Sequence, residues 1–521
     1  MKLKQIALAS MVVVAGSSFA QTTVPSVTCD SSTPLAMANT CAPEVTFFVA
    51  GASALGQATS TVLTANNFSG YFASPAAVIL DRATENGLLN NPTNDNKPGG
   101  GVSAWYGMSQ PALTGGTSKR MLIVYNNYMG SAAGVSNVMS KDMKSVMTVP
   151  TAKVVTVGPV LFVPGKPTKG VKANDCKEEV TNTSTNATGI ACTSYAWTKA
   201  DVGLSDVDAT EVVGLYPNKK VKLSEMTRVP VMMQGFAVGT NHKFYAALQA
   251  YQVSTGALPA SCTPEAPATY VYTEACQPSI SSAQYASLVS KEGGIKSAAG
   301  FIPGSTETLV LARRDDLSGT QAASQIFFNK TGCNFKDPKS KINLGGAMDA
   351  TNDIDFPNKV VTPSSFIVNH NVHSAAVATD LGRTDAYAIG VLSLANSKDT
   401  PSKYMMVKLD GVSPNFAKNG TTPLTSGNLR NNMINGSWAF QVVSYVMYPT
   451  TSVGTDAVLA SKKDLIAKFQ ADLNDSTLHD LSGIAYFNGS AAKQSLVHRA
   501  TAKASGTTPA AYNNCAHLTF R

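Results

Sequence analysis

The sequence predicts an α/β protein, and three stretches carry that prediction. In each, a short apolar run leads through small residues into a segment with helical periodicity. Residues 45–50 run into Gly51-Ala52-Ser53 and then a helical pattern over 55–65. Residues 121–125 lead through Gly130-Ser131-Ala132-Ala133-Gly134 into a helix carrying Val135, Val138 and Met139. Residues 308–312 lead through 313–318 into a helix with Ala322, Ile326 and Phe327. Strand, small-residue turn and helix in succession is the α/β signature.

At 521 residues the chain has room for two to four domains at ~150 residues each. A hydrophobic content of 44%, with 40 Gly and 26 Pro, excludes collagen-like, coiled-coil and wholly disordered readings. The net charge of +8 is spread along the chain, which argues against a nucleic-acid partner and is mildly favourable to small anions.

Residues 1–20 read as a signal peptide: Lys2 and Lys4, an apolar core over 6–14, and Ser18-Phe19-Ala20 before a cut at Gln21. Cleavage leaves 39 bases against 33 acids, or +6. No Cys follows the cut and no later apolar run reaches ~18 residues, so a soluble periplasmic or secreted protein is expected. Residues 21–43 read as an irregular arm.

The eight cysteines suit an oxidising compartment. Their spacing suggests three local loops, Cys29–Cys41, Cys176–Cys192 and Cys262–Cys276, which leaves Cys333 to meet Cys515; other pairings stay open. No Cys-x-x-Cys occurs, and His370 and His373 have no third ligand close in sequence, so neither a metal nor a cofactor is expected. Residues 165–198 and 255–280 read as exposed insertions, and the apolar strands at 229–238 and 386–394 as crossings between two lobes.

Three turns place a Ser at a helix start: Ser53, Ser131 and Ser318. Each alone reads as an ordinary N-cap. Together, three helix N-termini with free N–H groups form an anion cradle, and the small neighbours let a ligand reach the backbone. Arg314 precedes Ser318 by four and offers a fork for two oxygens, with Asp316 placed to hold it. Asp206 makes sense in such a cradle if the guest carries a proton. An ionised carboxylate only accepts hydrogen bonds, so it admits protonated phosphate and disfavours sulfate. The plainer reading of Asp206 is a surface turn acid or helix cap.

These segments resemble, in order, the periplasmic phosphate-binding protein of phosphate ABC transporters. Its Gly-Ala-Gly-Ala-Thr-Phe-Pro turn is similar to residues 49–55, which matches Ser53 and Ala54 to ligand positions. Its Gly-Ser-Ser-Gly-Gly-Val turn is similar to residues 130–135 and matches Ser131. Its Asp-Phe-Gly-Ala-Ser-Asp segment resembles residues 201–206 and matches Asp206. Its Arg-Ala-Asp-Gly-Ser-Gly-Thr loop resembles residues 314–320 and matches Arg314, Ser318, Gly319 and Thr320. The sequence departs from the pattern at Ala54, Ala132-Ala133 and Leu317, and its insertions make it longer.

The resemblance implies a two-lobed periplasmic solute-binding fold of type II with discontinuous lobes. It places lobe 1 over 44–230 and 386–521 and lobe 2 over 231–385, with phosphate or a related oxyanion held between them by a monomer that serves an ABC permease. It implies no enzyme activity. One alternative is a secreted module of the same fold without a transport role, in attachment or scavenging. Another is a secreted phosphatase, against which stand the missing Gly-x-Ser-x-Gly and His-Glu-x-x-His motifs.

Overall fold

The structure is a computed structural model that describes residues 43–65, 69–73, 77–80, 102–126, 130–139, 143–145, 176–182, 187–192, 196–215, 221–265, 270–290, 294–314, 318–330, 333, 365–371, 374–399, 403–425, 428–450, 462–487, 492–499, 514–516 and 518–520. The expected signal peptide, Cys29, Cys41, Asp316, Leu317 and His373 lie outside the described residues.

One sheet of twelve strands organises the described residues. In chain order they are β1 (Val45–Gly51), β2 (Ala77–Leu80), β3 (Val102–Met108), β4 (Arg120–Asn126), β5 (Val202–Ser205) and β6 (Met226–Thr240). There follow β7 (Leu309–Arg314), β8 (Phe366–Asn371), β9 (Tyr387–Ser393), β10 (Met405–Met406), β11 (Gln441–Pro449) and β12 (Ile484–Tyr486). The helices used below are α1 (Gly56–Thr64), α2 (Gly130–Asn137), α3 (Ala209–Leu215), α4 (His242–Ser254), α5 (Ser282–Val289), α6 (Gly319–Asn329), α7 (Ser374–Asp380) and α8 (Lys463–Leu473).

The sheet has two parallel centres. In one, β1 lies between β4 and β5 and runs parallel to both. In the other, β7 lies between β8 and β9, again parallel to both. Two strands join the centres: β6 pairs antiparallel with β11 over 226–235 and with β9 over 236–240, while β11 pairs antiparallel with β5. This is an α/β arrangement in which two parallel centres share a hydrogen-bonded seam within one sheet. Of the two expected crossings, residues 229–238 fall on β6. Residues 387–393 form β9 inside the second centre, and β11 is the strand that runs back beside β6. Both segments are predominantly apolar, broken only by Gln234 and Ser393, and apolarity does not separate a crossing strand from a parallel core strand.

Burial explains the runs. Phe47 and Val49 enter one core, where Phe47 meets Phe469 of α8 edge-on at 5.8 Å, and Phe48 and Ala50 enter the other. At the entry to β5, Lys462 contacts both carboxylate oxygens of Asp201 at 2.8 Å, and the Phe48 N–H donates to the same carboxylate at 2.8 Å. Burial raises the Asp201 pKa, and the Lys462 charge opposes that rise.

The disulfides Cys262–Cys276 and Cys333–Cys515 form as expected. Residues 176–192, expected in an open loop, hold a hairpin of Cys176–Asn182 against Ala187–Cys192, in register with Cys176 opposite Cys192. Its Val and Thr residues favour extended backbone, a signal masked by the Lys, Asn and Thr content of the surrounding stretch.

Glycine brings α2 onto the sheet. A Cβ at Gly134 would stand 2.1 Å from the Leu204 carbonyl oxygen and 2.9 Å from Gly51 Cα, and one at Gly203 would stand 1.9 Å from the Gly134 carbonyl oxygen. Gly51 has φ +134, and its Cβ would fall 1.9 Å from the Leu204 oxygen. Helix and strands thus meet backbone to backbone. We expect Gly134→Ala to lower stability by ~2–4 kcal/mol in denaturant unfolding, because the clash is with main chain. Gly116→Ala, at φ +90 with nothing within 4 Å, should cost only ~1 kcal/mol. Equal losses would contradict the close-packed seam.

Candidate functional site

In open α/β sheets ligands sit beyond the carboxyl ends of the parallel strands. Here those ends carry most of the residues singled out by sequence. β1 leads into residues 52–55, β5 into Asp206, and β7 ends on Arg314, while Ser131 and Gly319 lie in the first turns of α2 and α6.

Ser131 and Asp206 are joined twice. The Ser131 hydroxyl donates to Asp206 Oδ2 at 3.2 Å and accepts from the Asp206 N–H at 3.0 Å. Both residues are 1% exposed, so Asp206 is an interior group rather than a surface turn acid. Gly319 sits directly on the pair: a Cβ there would lie 1.9 Å from Asp206 Oδ2 and 2.1 Å from Ser131 Oγ. The N-terminus of α6, the helix that follows β7, is therefore seated on the carboxylate at the end of β5. Asp206 Oδ1 and the Ser318 hydroxyl are buried with no hydrogen-bond partner among the described residues. Ser318 occupies the N-cap position of α6 but makes no side-chain cap bond, so the ordinary capping role is not where its hydroxyl is spent.

The turn after β1 is built from backbone. Residues 53–55 form one 3-10 turn beside α6, and the Ala52 N–H donates to the Leu204 carbonyl oxygen at 2.9 Å. The buried Tyr125 hydroxyl donates to the Ala52 carbonyl oxygen at 2.6 Å and so holds the start of this turn. Ala54 is half-buried in it. Ala132 and Ala133 lie within α2, and it is Gly130, at φ +66, that takes the positive-φ position.

Arg314 is 3% exposed. Its Nε donates to the Asn371 carbonyl oxygen at 3.1 Å and its Nη1 to the Ser374 hydroxyl at 2.8 Å. Asp380 braces that mount by accepting from the side-chain amides of Asn371 at 2.8 Å and Asn369 at 2.9 Å. Sequence reasoning offered Asp316, which lies outside the described residues, for the bracing and missed Asn371, Ser374 and Asp380. The available signal was an Asn-x-Asn pair at the end of a strand followed by a Ser helix start. Thr320 is buried and lines a small cavity with Arg313, Arg314, Tyr285, Gln321 and Ser324.

Burial drives the Asp206 pKa up to about 7, against the pull of the Ser131 hydrogen bond and the Arg314 charge. The Tyr125 phenol is likewise raised well above its ordinary value, by burial and then by the Asp206 charge. Among the described residues no group of three or more His, Cys, Asp and Glu has the arrangement to hold a metal ion. Nor is any described helix long and apolar enough to cross a membrane. His479 is occupied far along the chain, with the Leu473 carbonyl oxygen at 3.0 Å and the Tyr486 hydroxyl at 2.8 Å.

No family model matches this chain, and no curated protein matches it. Among solved structures it is similar to a provisionally named phosphate ABC transporter substrate-binding protein of Clostridium perfringens, solved with bound phosphate. There the identity is 13% over 55% of this chain and 79% of that one, with a TM-score of 0.29. An ABC-type phosphate transport receptor of Vibrio cholerae gives 10% identity over 52% and 74%, with a TM-score of 0.28. PstS of Borrelia burgdorferi gives 11% over 53% and 74%, with a TM-score of 0.26. At these scores the fold rests on the strand order and pairing given above.

A pH dependence of stability follows from Asp206. Its folded pKa of about 7 exceeds the ordinary 3.8, so the folded state holds the proton more tightly than the unfolded chain. The stability it contributes is full below about pH 4 and is lost as pH rises towards 7, by a few kcal/mol at most. We expect Asp206→Asn to gain on the wild type in thermal unfolding as pH goes from 5 to 8. Parallel pH profiles would contradict the buried position.

Proposed function

We propose that this protein binds a proton-bearing tetrahedral oxyanion, phosphate above all, between its two lobes. One observation carries the reading: the buried Asp206 carboxylate, whose Oδ2 lies against Gly319 in the first turn of α6, has its Oδ1 unpartnered among the described residues, as is the Ser318 hydroxyl at the N-cap of the same helix. A helix N-terminus attracts an anion through its free N–H groups. The Arg314 guanidinium, mounted on Asn371 and Ser374, adds fixed positive charge. Only a guest that shares a proton with Asp206 satisfies that last acceptor, since leaving a buried acceptor unpaired costs ~1–3 kcal/mol.

In this reading Ser53, Ala54, Ser131 and Asp206 are supplied by the first lobe and Arg314, Ser318, Gly319 and Thr320 by the second. The division at 44–230, 231–385 and 386–521 is part of the proposal. The role is capture by hydrogen bonds with no covalent step, by a secreted or periplasmic monomer that hands its ligand to an ABC permease. A second reading, the same binder without transport duty, is favoured by the paired strands 176–182 and 187–192 and the disulfide Cys262–Cys276, neither of which contributes a group to the site among the described residues.

Calorimetric titration tests the proposal. Phosphate should bind, and sulfate should bind ~10-fold or more weakly at pH 8, because sulfate brings no proton to Asp206. Asp206→Asn should erase that preference. Arg314→Ala should weaken phosphate by ~10–100-fold, the worth of a charge-assisted bond. No phosphate heat, or an unchanged preference in Asp206→Asn, would overturn it.

A further inference from the structure

The C-terminal tail binds both lobes. Asn514 is 2% exposed, and its N–H and Nδ2 donate to the two carboxylate oxygens of Glu211, in the first turn of α3, at 2.7 and 3.0 Å. Its Oδ1 accepts from the Val443 N–H at 2.6 Å, and its Nδ2 also donates to the Val443 carbonyl oxygen at 3.2 Å. One side chain thus acts as a strand partner for β11. Arg499, also buried, ties the tail down again by donating to the carbonyl oxygens of Gln441 at 2.9 Å, Ala439 at 2.7 Å and Ala516 at 2.5 Å.

Between Asn514 and the Ala516 that Arg499 holds lies Cys515, bonded to Cys333 across 182 residues of sequence. Cys333 follows α6, the helix whose first turn holds Gly319 on Asp206 and whose body packs against α2 and α3. Near its far end Phe327 stacks on Phe440, with centroids 4.5 Å apart, just ahead of β11. α6 belongs to the second lobe through β7, yet its end is covalently joined to a tail clamped on α3 and β11.

We propose that this tail is a strap that holds α6 against α3 and β11, and thereby keeps the two lobes together independently of any ligand. A general staple would protect the whole fold by restricting the unfolded chain. A strap protects α6 and the segments it presses on. The strap would also slow ligand exchange, since release requires Gly319 to leave Asp206; that consequence rests on the oxyanion reading above.

The test is amide hydrogen exchange by mass spectrometry on the full chain without phosphate, comparing the wild type with the double variant Cys333→Ser/Cys515→Ser and with Asn514→Ala. Exchange of residues 319–329 and 202–215 should rise tenfold or more in the double variant and several-fold in Asn514→Ala, while residues 242–254 and 463–473 keep wild-type protection. Unchanged exchange at 319–329 would overturn the proposal. So would uniform loss of protection, which would make the bridge a general staple. Release of radiolabelled phosphate should be about tenfold faster in the double variant. Because the exchange measurement needs no ligand, its failure leaves phosphate binding intact, and an absence of phosphate binding leaves the strap intact.

Discussion

Missing side chains at four positions make the arrangement around Asp206 what it is. Gly51, Gly134 and Gly203 let α2 rest on the backbone of β1 and β5, which carries Ser131 into double contact with Asp206. Gly319 brings the start of α6 onto the same group, since even a methyl group there would collide with the carboxylate. A Cβ at Gly51, Gly134 or Gly203 would separate main-chain segments that now touch, and one at Gly319 would push α6 off the Asp206 and Ser131 side chains. The site is thus assembled by close approach of backbones, and its polar groups follow from that approach.

Close approach has an electrostatic consequence. It removes water from Asp206, and desolvation outweighs both the Ser131 hydrogen bond and the Arg314 charge. The result is a carboxyl group that exchanges its proton near neutrality, at a helix N-terminus that favours negative charge. Acid and anion are then compatible, because a single proton can lie between them. Arg314 serves this balance best if it cannot swing away, and the mount of Asn371 and Ser374, braced by Asp380, restrains it.

Much of this was legible in the sequence, for identifiable reasons. Apolar runs ending in Gly, Ala and Ser marked β1, β4 and β7, because a strand buried on both faces has little compositional freedom. The same small residues marked Ser131, Gly319 and their neighbours. Asp206 stood out once its segment was set beside Arg314. The mount of Arg314 did not stand out, because Asn371 works through its carbonyl oxygen and any residue could supply that. Asn514 and Glu211 were hidden for a different reason: they meet across 303 residues, and no local pattern records so distant a pair. The role of β11 was obscured by β9, a similarly apolar strand that also pairs with β6 but has β7 rather than β5 on its other side.

The most direct measurement is anomalous diffraction at the arsenic edge from crystals soaked in arsenate, a tetrahedral oxyanion that carries a proton as phosphate does. The account predicts a single strong arsenic peak within about 4 Å of the Asp206 carboxylate and the first N–H groups of α6, the reach of one hydrogen-bonded oxygen. Arsenic found elsewhere on the molecule with that position empty would contradict it.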